Sequence, residues 1–373
     1  MCVLSLSYPP CVIRHTFEAV FRAFRSTVSR CIIEKTLVVV HGFCCAVGIE
    51  LNECLRLDAC DMVKRIISVS RRTDVPAFYG QWFMGRVREG FAGVVHPFGG
   101  RRYVVSLKPE DVACLVFWSK DFTPFVGHLE TLDRLGYRFY FNYTVTAVPS
   151  IFESGVDRTG ALRTLKQLSE RYSPTHINWR FDPIVLSNVC DGEFYLNEFT
   201  RLARKLEGLV ERCYFSFVMP YRKVDRNFRE LEQTTGIRVL QESKEHRIEL
   251  AGRLAEVAQS HGIRMCSCCG EYLVGDAIHK AHCIDGSLIE QLFHPQGLTW
   301  NEKPTREGCG CAESIDIGTY DTCPHGCTYC YANANKAVAK RAFESHDPAS
   351  AFLGFSKSQS DEWIRELREE TLR

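Results

Sequence analysis

The chain has no run approaching the roughly 18 to 20 consecutive apolar residues that a membrane-crossing helix needs. It therefore reads as a protein with no membrane partner. It also has almost no net charge: 46 basic against 45 acidic residues leave +1. That removes the general electrostatic attraction that carries proteins onto nucleic acid or anionic lipid, so any polyanion contact must be local. No G-x-G-x-x-G turn follows an apolar run, which argues against a doubly wound dinucleotide-binding sheet. What the chain does not lack is cysteine. Nineteen are spread over 373 residues, seven before residue 61, three in the next two hundred, and nine between Cys266 and Cys330. A disulfide framework belongs to short secreted domains, whereas this chain has a full apolar core pattern. The expected setting is reducing and cytoplasmic.

Residues 1–61 differ from the rest. They are rich in Cys, they start with an Arg-containing, acid-poor stretch (Arg14, Arg22, Arg25 and Arg30 against Glu18), and Met62 opens directly onto a strand-like run. They read as an appended extension, either disordered or lying upstream of the true start, with a targeting segment or a small separate domain as the other readings. From residue 62 to about 345, short β-rich runs alternate with amphipathic stretches. The strand candidates are Ile66–Ser70, Cys114–Trp118, Arg138–Thr144, His176–Phe181, Cys213–Val218, Ile263–Cys266 and Ser314–Thr319. Gly93–His96 and Tyr103–Leu107 flank Pro97–Gly100 as a hairpin. Apolar residues recur at helical spacing in between, as in Leu162, Leu165 and Leu168, or Leu250, Leu254 and Val257. Seven or eight such units predict an α/β fold, a (β/α) barrel, complete or partial. Residues 346–373 form a C-terminal tail with a helix over 361–372.

In a barrel the chemistry gathers at the C-terminal ends of the strands. The first strand runs into Ser70, Arg71, Arg72 and Asp74; later ones end at Lys120, at Asn142 and Tyr143, and at Arg180 and Asp182. The arginines suit a carboxylate or phosphate. Asp74 or Asp182 suits a ribose hydroxyl or the orientation of an arginine. For each, a rim salt bridge is the competing reading. Trp118, Tyr143, Trp179 and Tyr221 offer surfaces on which adenine or a base could stack, against ordinary core packing. The basic run Lys336–Arg341 reads as a solvated helix face rather than a nucleic-acid patch.

The sharpest pattern is Cys323-Pro324-His325-Gly326-Cys327-Thr328-Tyr329-Cys330, directly after the last strand candidate. Three thiolates can hold three irons of a 4Fe–4S cube and leave the fourth open to a small molecule. A structural zinc with His325 as fourth ligand is the other reading. A second group (Cys266, Cys268, Cys269, Cys283, Cys309, Cys311) could bind an auxiliary 4Fe–4S cluster or zinc, with Cys269, Cys283, Cys309 and Cys311 as ligands and Cys268 in reserve, or consist of plain buried thiols.

The C-x3-C-x-aromatic-C text resembles the radical S-adenosylmethionine superfamily, and His325–Ala332 is most similar to the branch that includes spore photoproduct lyase. From Ile66 to about Asn335 the chain also resembles a bacterial family known as domain of unknown function 1848. It does so through Ser68–Pro76 near the start and Gly308-Cys309-Gly310-Cys311 through Cys330 near the end. The resemblance implies a reducible 4Fe–4S cluster on Cys323, Cys327 and Cys330, and S-adenosylmethionine against Tyr329, Ser70, Asn142 and Tyr143. It further implies an electron donor such as flavodoxin or ferredoxin, and a small-molecule or nucleobase substrate. In the superfamily the motif follows the first strand, whereas here it follows the last. That order implies a circularly permuted barrel, with Ser314–Thr319 beside Ile66–Ser70. No Gly-Gly-Glu segment follows the next strand. A nucleic-acid-binding or repair-associated protein with structural metal sites is the alternative function.

Overall fold

The computed structural model describes residues 64–371, apart from 154–155, 296–297 and 299. The expected extension over residues 1–61 lies outside them.

Ten strands form. β1 (Arg65–Val69), β4 (Val112–Ser119), β5 (Phe139–Thr144), β6 (Ile177–Ile184), β7 (Arg212–Phe217), β8 (Arg264–Ser267), β9 (Ile278–Lys280) and β10 (Ile315–Asp316) make one eight-stranded sheet. Its order is β10-β1-β4-β5-β6-β7-β8-β9, and every neighbouring pair is parallel. β2 (Phe91–Val95) and β3 (Arg102–Ser106) form the antiparallel hairpin the sequence predicts. The last strand pairs with the first, Ile67 with Ile315 and Ser68 with Asp316, so the permuted neighbour relation is present. The sheet itself is not closed. β9 and β10 are its two edges, and a backbone bond from Ala312 N–H to the Ile284 carbonyl (2.9 Å) joins the segments next to them without a strand ladder. A complete barrel, one of the two forms expected, is therefore not what the ladders make.

Both sheet faces are buried, which explains why its strands read as almost continuous apolar runs rather than clean alternations. Alternate residues still divide between two cores. Ile67, Leu115, Phe117, Phe139, Phe141, Trp179, Phe215 and Met265 face one way. They pack against Trp82 and Phe83 of α2 (Gly80–Glu89), Leu129 and Leu132 of α3 (Val126–Arg134), and Leu165 and Leu168 of α4 (Arg158–Arg171). Phe199 and Leu202 of α5 (Gly192–Leu206) and Leu250 and Leu254 of α7 (Lys244–Ser260) extend the same layer. Each such side chain contributes roughly 1.5–3 kcal/mol through burial. Ile66, Cys114, Val116, Tyr140, Tyr214 and Cys266 face the other way, against residues 281–312, including Leu288 and Ile289 of α8 (Gly286–Phe293). The Tyr140 hydroxyl and the Asn142 amide both donate to the Cys283 carbonyl, at 2.9 and 3.0 Å, fixing that segment across the sheet.

Of two further helices, α6 (Arg222–Thr235) follows β7 and α9 (Lys336–Glu344) follows the cysteine loop, and the tail helix α10 spans Lys357–Thr371, a few residues longer at its start than predicted. The segment before α10 is packed down. The Trp82 indole donates to the Ser350 carbonyl (3.0 Å), and the Gly93 N–H donates to the Ala351 carbonyl (2.9 Å). Among the described residues, no helix is long and apolar enough to cross a membrane.

Candidate metal centre

The carboxyl ends of β1, β4 and β10 meet around two buried carboxylates. Asp316, in β10, accepts from Ser68 Oγ (2.7 Å), Ser70 Oγ (2.5 Å) and Arg71 N–H (2.7 Å). Burial opposes its charge, but the guanidiniums of Arg71 and Arg72, with Nε at 3.6 and 3.9 Å, hold it below the ordinary carboxylate range. Arg72 also donates to the Gly318 carbonyl (3.2 Å). The two arginines expected to grip a ligand thus spend part of their capacity inside the protein.

Asp74 caps α1 (Val75–Phe78) through Ala77 N–H (3.1 Å) and accepts from Ser119 Oγ (2.6 Å) and Lys120 N–H (2.9 Å). Its remaining contact is with His325 Nε2, at 2.7 Å. Asp74 thereby ties the ends of β1 and β4 to the middle of the cysteine loop, which is the structural ion-pair reading among those the sequence offered. Lys120 Nζ bonds Glu153 and the Tyr329 hydroxyl (2.9 Å), and that hydroxyl donates to Glu153 in turn. Burial opposes the charge on Lys120, but Cys327 and Glu153 more than offset it and raise its pKa. Glu153 is likewise held low against burial by Lys120.

The loop carrying Cys323, Cys327 and Cys330 is pinned along its length. Tyr79 OH donates to the Thr322 carbonyl (2.6 Å), Asn333 to the Cys323 carbonyl (2.6 Å), Thr328 N–H to the Phe152 carbonyl (2.8 Å) and Asn227 to the Thr328 carbonyl (3.0 Å). Gly326 turns the loop at φ +65°, where a side chain would be strained. Cys327 is buried and the other two are half-buried. The three thiols lie close enough to feel one another's charge. Burial pushes the Cys327 thiol up to about 12, with Lys120 opposing. Backbone N–H groups are aimed at sulfur, as from Ala332 to Cys330 Sγ (3.3 Å).

Among the described residues, no three His, Cys, Asp or Glu side chains are gathered as a single metal ion requires. A four-iron cluster makes a different demand, since each thiolate takes its own iron and the sulfurs need not converge on one point. Three thiols on one rigid loop, with N–H donors to sulfur and a lysine to balance charge, match that donor chemistry. His325 has its Nε2 on Asp74, the carboxylate–imidazole pairing that leaves only the other ring nitrogen for a metal.

Other expected residues sit elsewhere. Tyr143 is fully buried on the helix side, where its hydroxyl donates to the Ala161 carbonyl (2.9 Å), so it offers no face to a cofactor. Asn142, one position earlier and on the opposite face, is committed to Cys283. Trp179 stacks on Phe199 in the helix-side core. Arg180 and Asp182 pair with each other, and Arg180 donates to Cys283 Sγ (2.8 Å). Of the second cysteine group, Cys268, Cys269, Cys283, Cys309 and Cys311 come together, while Cys266 turns toward the Arg264 carbonyl. Asp316 and Glu153 were not anticipated. Asp316 carries a sequence signal, an acid between two isoleucines in a strand; Glu153 carries none.

The chain is thus a parallel α/β protein with two cysteine groups at the strand ends. Residues 66–332 match the family described as domain of unknown function DUF1848, and the chain belongs to that family. No curated protein and no solved structure matches it.

Proposed function

We propose that this chain is a radical S-adenosylmethionine enzyme built on an incompletely closed, permuted (β/α) barrel, with a 4Fe–4S cluster held by Cys323, Cys327 and Cys330. The observation that carries the reading is the β1–β10 pairing: it sets the three-cysteine loop beside the first strand although the loop follows the last one. When bound, such a cluster would supply an electron to cleave the cofactor's C–S bond and release a 5′-deoxyadenosyl radical.

The chain's own residues would do the holding. Asp74, through His325, and Glu153, through Tyr329, fix both halves of the loop, so the thiol positions are set before metal arrives. Lys120 offsets negative charge on the sulfurs. Arg71, whose backbone carbonyl accepts from the Tyr331 hydroxyl (2.7 Å), lies beside the loop and would meet a carboxylate of cofactor or substrate. All twelve described cysteines are unpaired, which suits a reducing, cytoplasmic setting with a flavodoxin or ferredoxin as electron donor. The substrate class on this reading is a small molecule or a nucleobase.

The test is anaerobic reconstitution of the full chain with iron and sulfide, followed by EPR of the reduced protein with and without S-adenosylmethionine. The expected result is a 4Fe–4S signal altered by the cofactor, and reductant-dependent 5′-deoxyadenosine that Cys327→Ala abolishes. Turnover unchanged in that variant would sink the assignment.

A further inference from the structure

The second cysteine group is more tightly assembled than the first. Cys268 Sγ lies 3.9 Å from Cys269 Sγ and 3.7 Å from Cys283 Sγ. Cys283 in turn neighbours Cys311, Cys311 neighbours Cys309, and Cys309 neighbours Cys269, which closes a ring of five thiols. They come from three separate stretches: the end of β8, the segment after β9, and the approach to β10. Chance proximity of core cysteines does not usually produce a closed ring from three stretches.

The ring is also built for negative charge. Arg306 donates to Cys269 Sγ through Nε (2.9 Å) and to Cys268 Sγ through Nη2 (3.5 Å), and Arg180 donates to Cys283 Sγ (2.8 Å). Ile284 N–H points at Cys311 Sγ (3.5 Å) and Thr305 Oγ1 at Cys309 Sγ (3.7 Å). Arg180 has Asp182 as a partner. Arg306 has the Tyr221 hydroxyl (3.2 Å) and the two sulfurs, and no carboxylate among the described residues stands at ion-pair distance from it. A largely buried guanidinium against neutral thiols would be poorly compensated. Several thiolates in mutual contact would repel one another. A bound metal centre resolves both difficulties.

We propose that Cys269, Cys283, Cys309 and Cys311 hold a second 4Fe–4S cluster, with Cys268 as the unligated fifth thiol that closes the ring. A cluster fits better than a single zinc because no three of these side chains converge on one point, whereas four irons would each take one thiolate from a ring. Two details shape the site for the ligands named. Cys269 takes a left-handed backbone conformation (φ +59°), and Gly308, at φ +70°, packs so closely that an added Cβ would stand 3.3 Å from the Cys269 backbone. With four protein ligands this cluster has no open iron, so it does not bind S-adenosylmethionine. The inference stands independently of the function proposed for the other loop.

The experiment reconstitutes the full chain anaerobically and counts iron, acid-labile sulfide and zinc per chain. The wild type, a Cys323→Ala/Cys327→Ala/Cys330→Ala variant and a Cys309→Ser/Cys311→Ser variant are compared, with circular dichroism to establish that each is folded. The wild type is expected to hold about eight irons and each variant about four. The loop variant should keep a reduced EPR signal that ignores S-adenosylmethionine, and Cys268→Ala should keep the full iron content. An iron-free loop variant, or stoichiometric zinc lost only with Cys309 and Cys311, overturns the second cluster. Full iron in the loop variant instead counts against the first cluster, so the two failures are distinguishable. If the Cys309/Cys311 variant does not fold, the loop variant and Cys268→Ala decide the question alone.

Discussion

Glu153 faces Lys120, the Tyr329 hydroxyl and Thr146 Oγ1 within a largely buried pocket. Replacing it with Gln leaves the lysine charge without its carboxylate, and breaking such a pair costs about 3–5 kcal/mol. Glu153→Gln should therefore lower the urea midpoint sharply. Lys120→Met combined with it should recover much of the loss, because the double variant buries no unmatched charge. Chemical denaturation of the two single variants and the double variant measures the coupling, and strictly additive losses would argue against it. Lys120, Asp74, Arg71 and Arg180 were legible in the sequence because polar residues at strand ends collect at one edge of a parallel sheet. Their partners were less so. Glu153 sits in an irregular segment whose position no periodicity fixes. Tyr143 shows the opposite error: position along the strand placed it correctly, but the two-residue alternation turned it toward the helices.

Seven of the eight sheet strands were legible as β-rich runs, and so was the β2–β3 hairpin. β9 was missed because Ile278-His279-Lys280 offers a single apolar residue and no alternation. The junction of β1 with β10 depends on Gly318, where an added Cβ would fall 2.0 Å from Ser70 Oγ and 3.3 Å from the Asp316 carboxylate. Gly318→Ala must push the two strand ends apart, at about 1–3 kcal/mol by the usual scale of overpacking. A lower melting temperature is expected, together with loss of the cofactor-sensitive EPR signal from the neighbouring loop. A variant that melts lower but keeps that signal would mean that the loop does not depend on this junction. The cysteine spacing was readable in advance, whereas the carboxylate network that anchors the loop emerged only when strands far apart in sequence became neighbours.

For the molecule as a whole, part of the acid sensitivity comes from individual buried groups that titrate differently in the folded and unfolded chain. His346 is one of them, packed edge-on against Tyr79 and Trp82 and accepting from Gly354 N–H (3.2 Å). Burial lowers its pKa from the ordinary 6.5 to about 4, with Asp347 opposing. Above pH 6.5 the ring is neutral whether the chain is folded or not, and it contributes no pH dependence. Between about 6.5 and 4 the unfolded chain binds a proton that the folded one refuses, so stability falls as pH falls; below about 4 the loss is complete. Urea midpoints measured from pH 7 to 4 should decline, and His346→Gln should flatten that part of the curve. An unchanged slope would place the acid sensitivity elsewhere.

The pairing of Asp316 with Ser68 spans 248 residues of chain. During synthesis the amino end emerges first and begins to fold while the rest is still being made. β1 therefore waits with one edge bare until β10 follows it out of the ribosome, and the cysteine loop comes later still. An uncovered parallel edge is an invitation to join another chain. On the proposed function, a cluster on Cys323, Cys327 and Cys330 would therefore be loaded only after every strand of the sheet has been made.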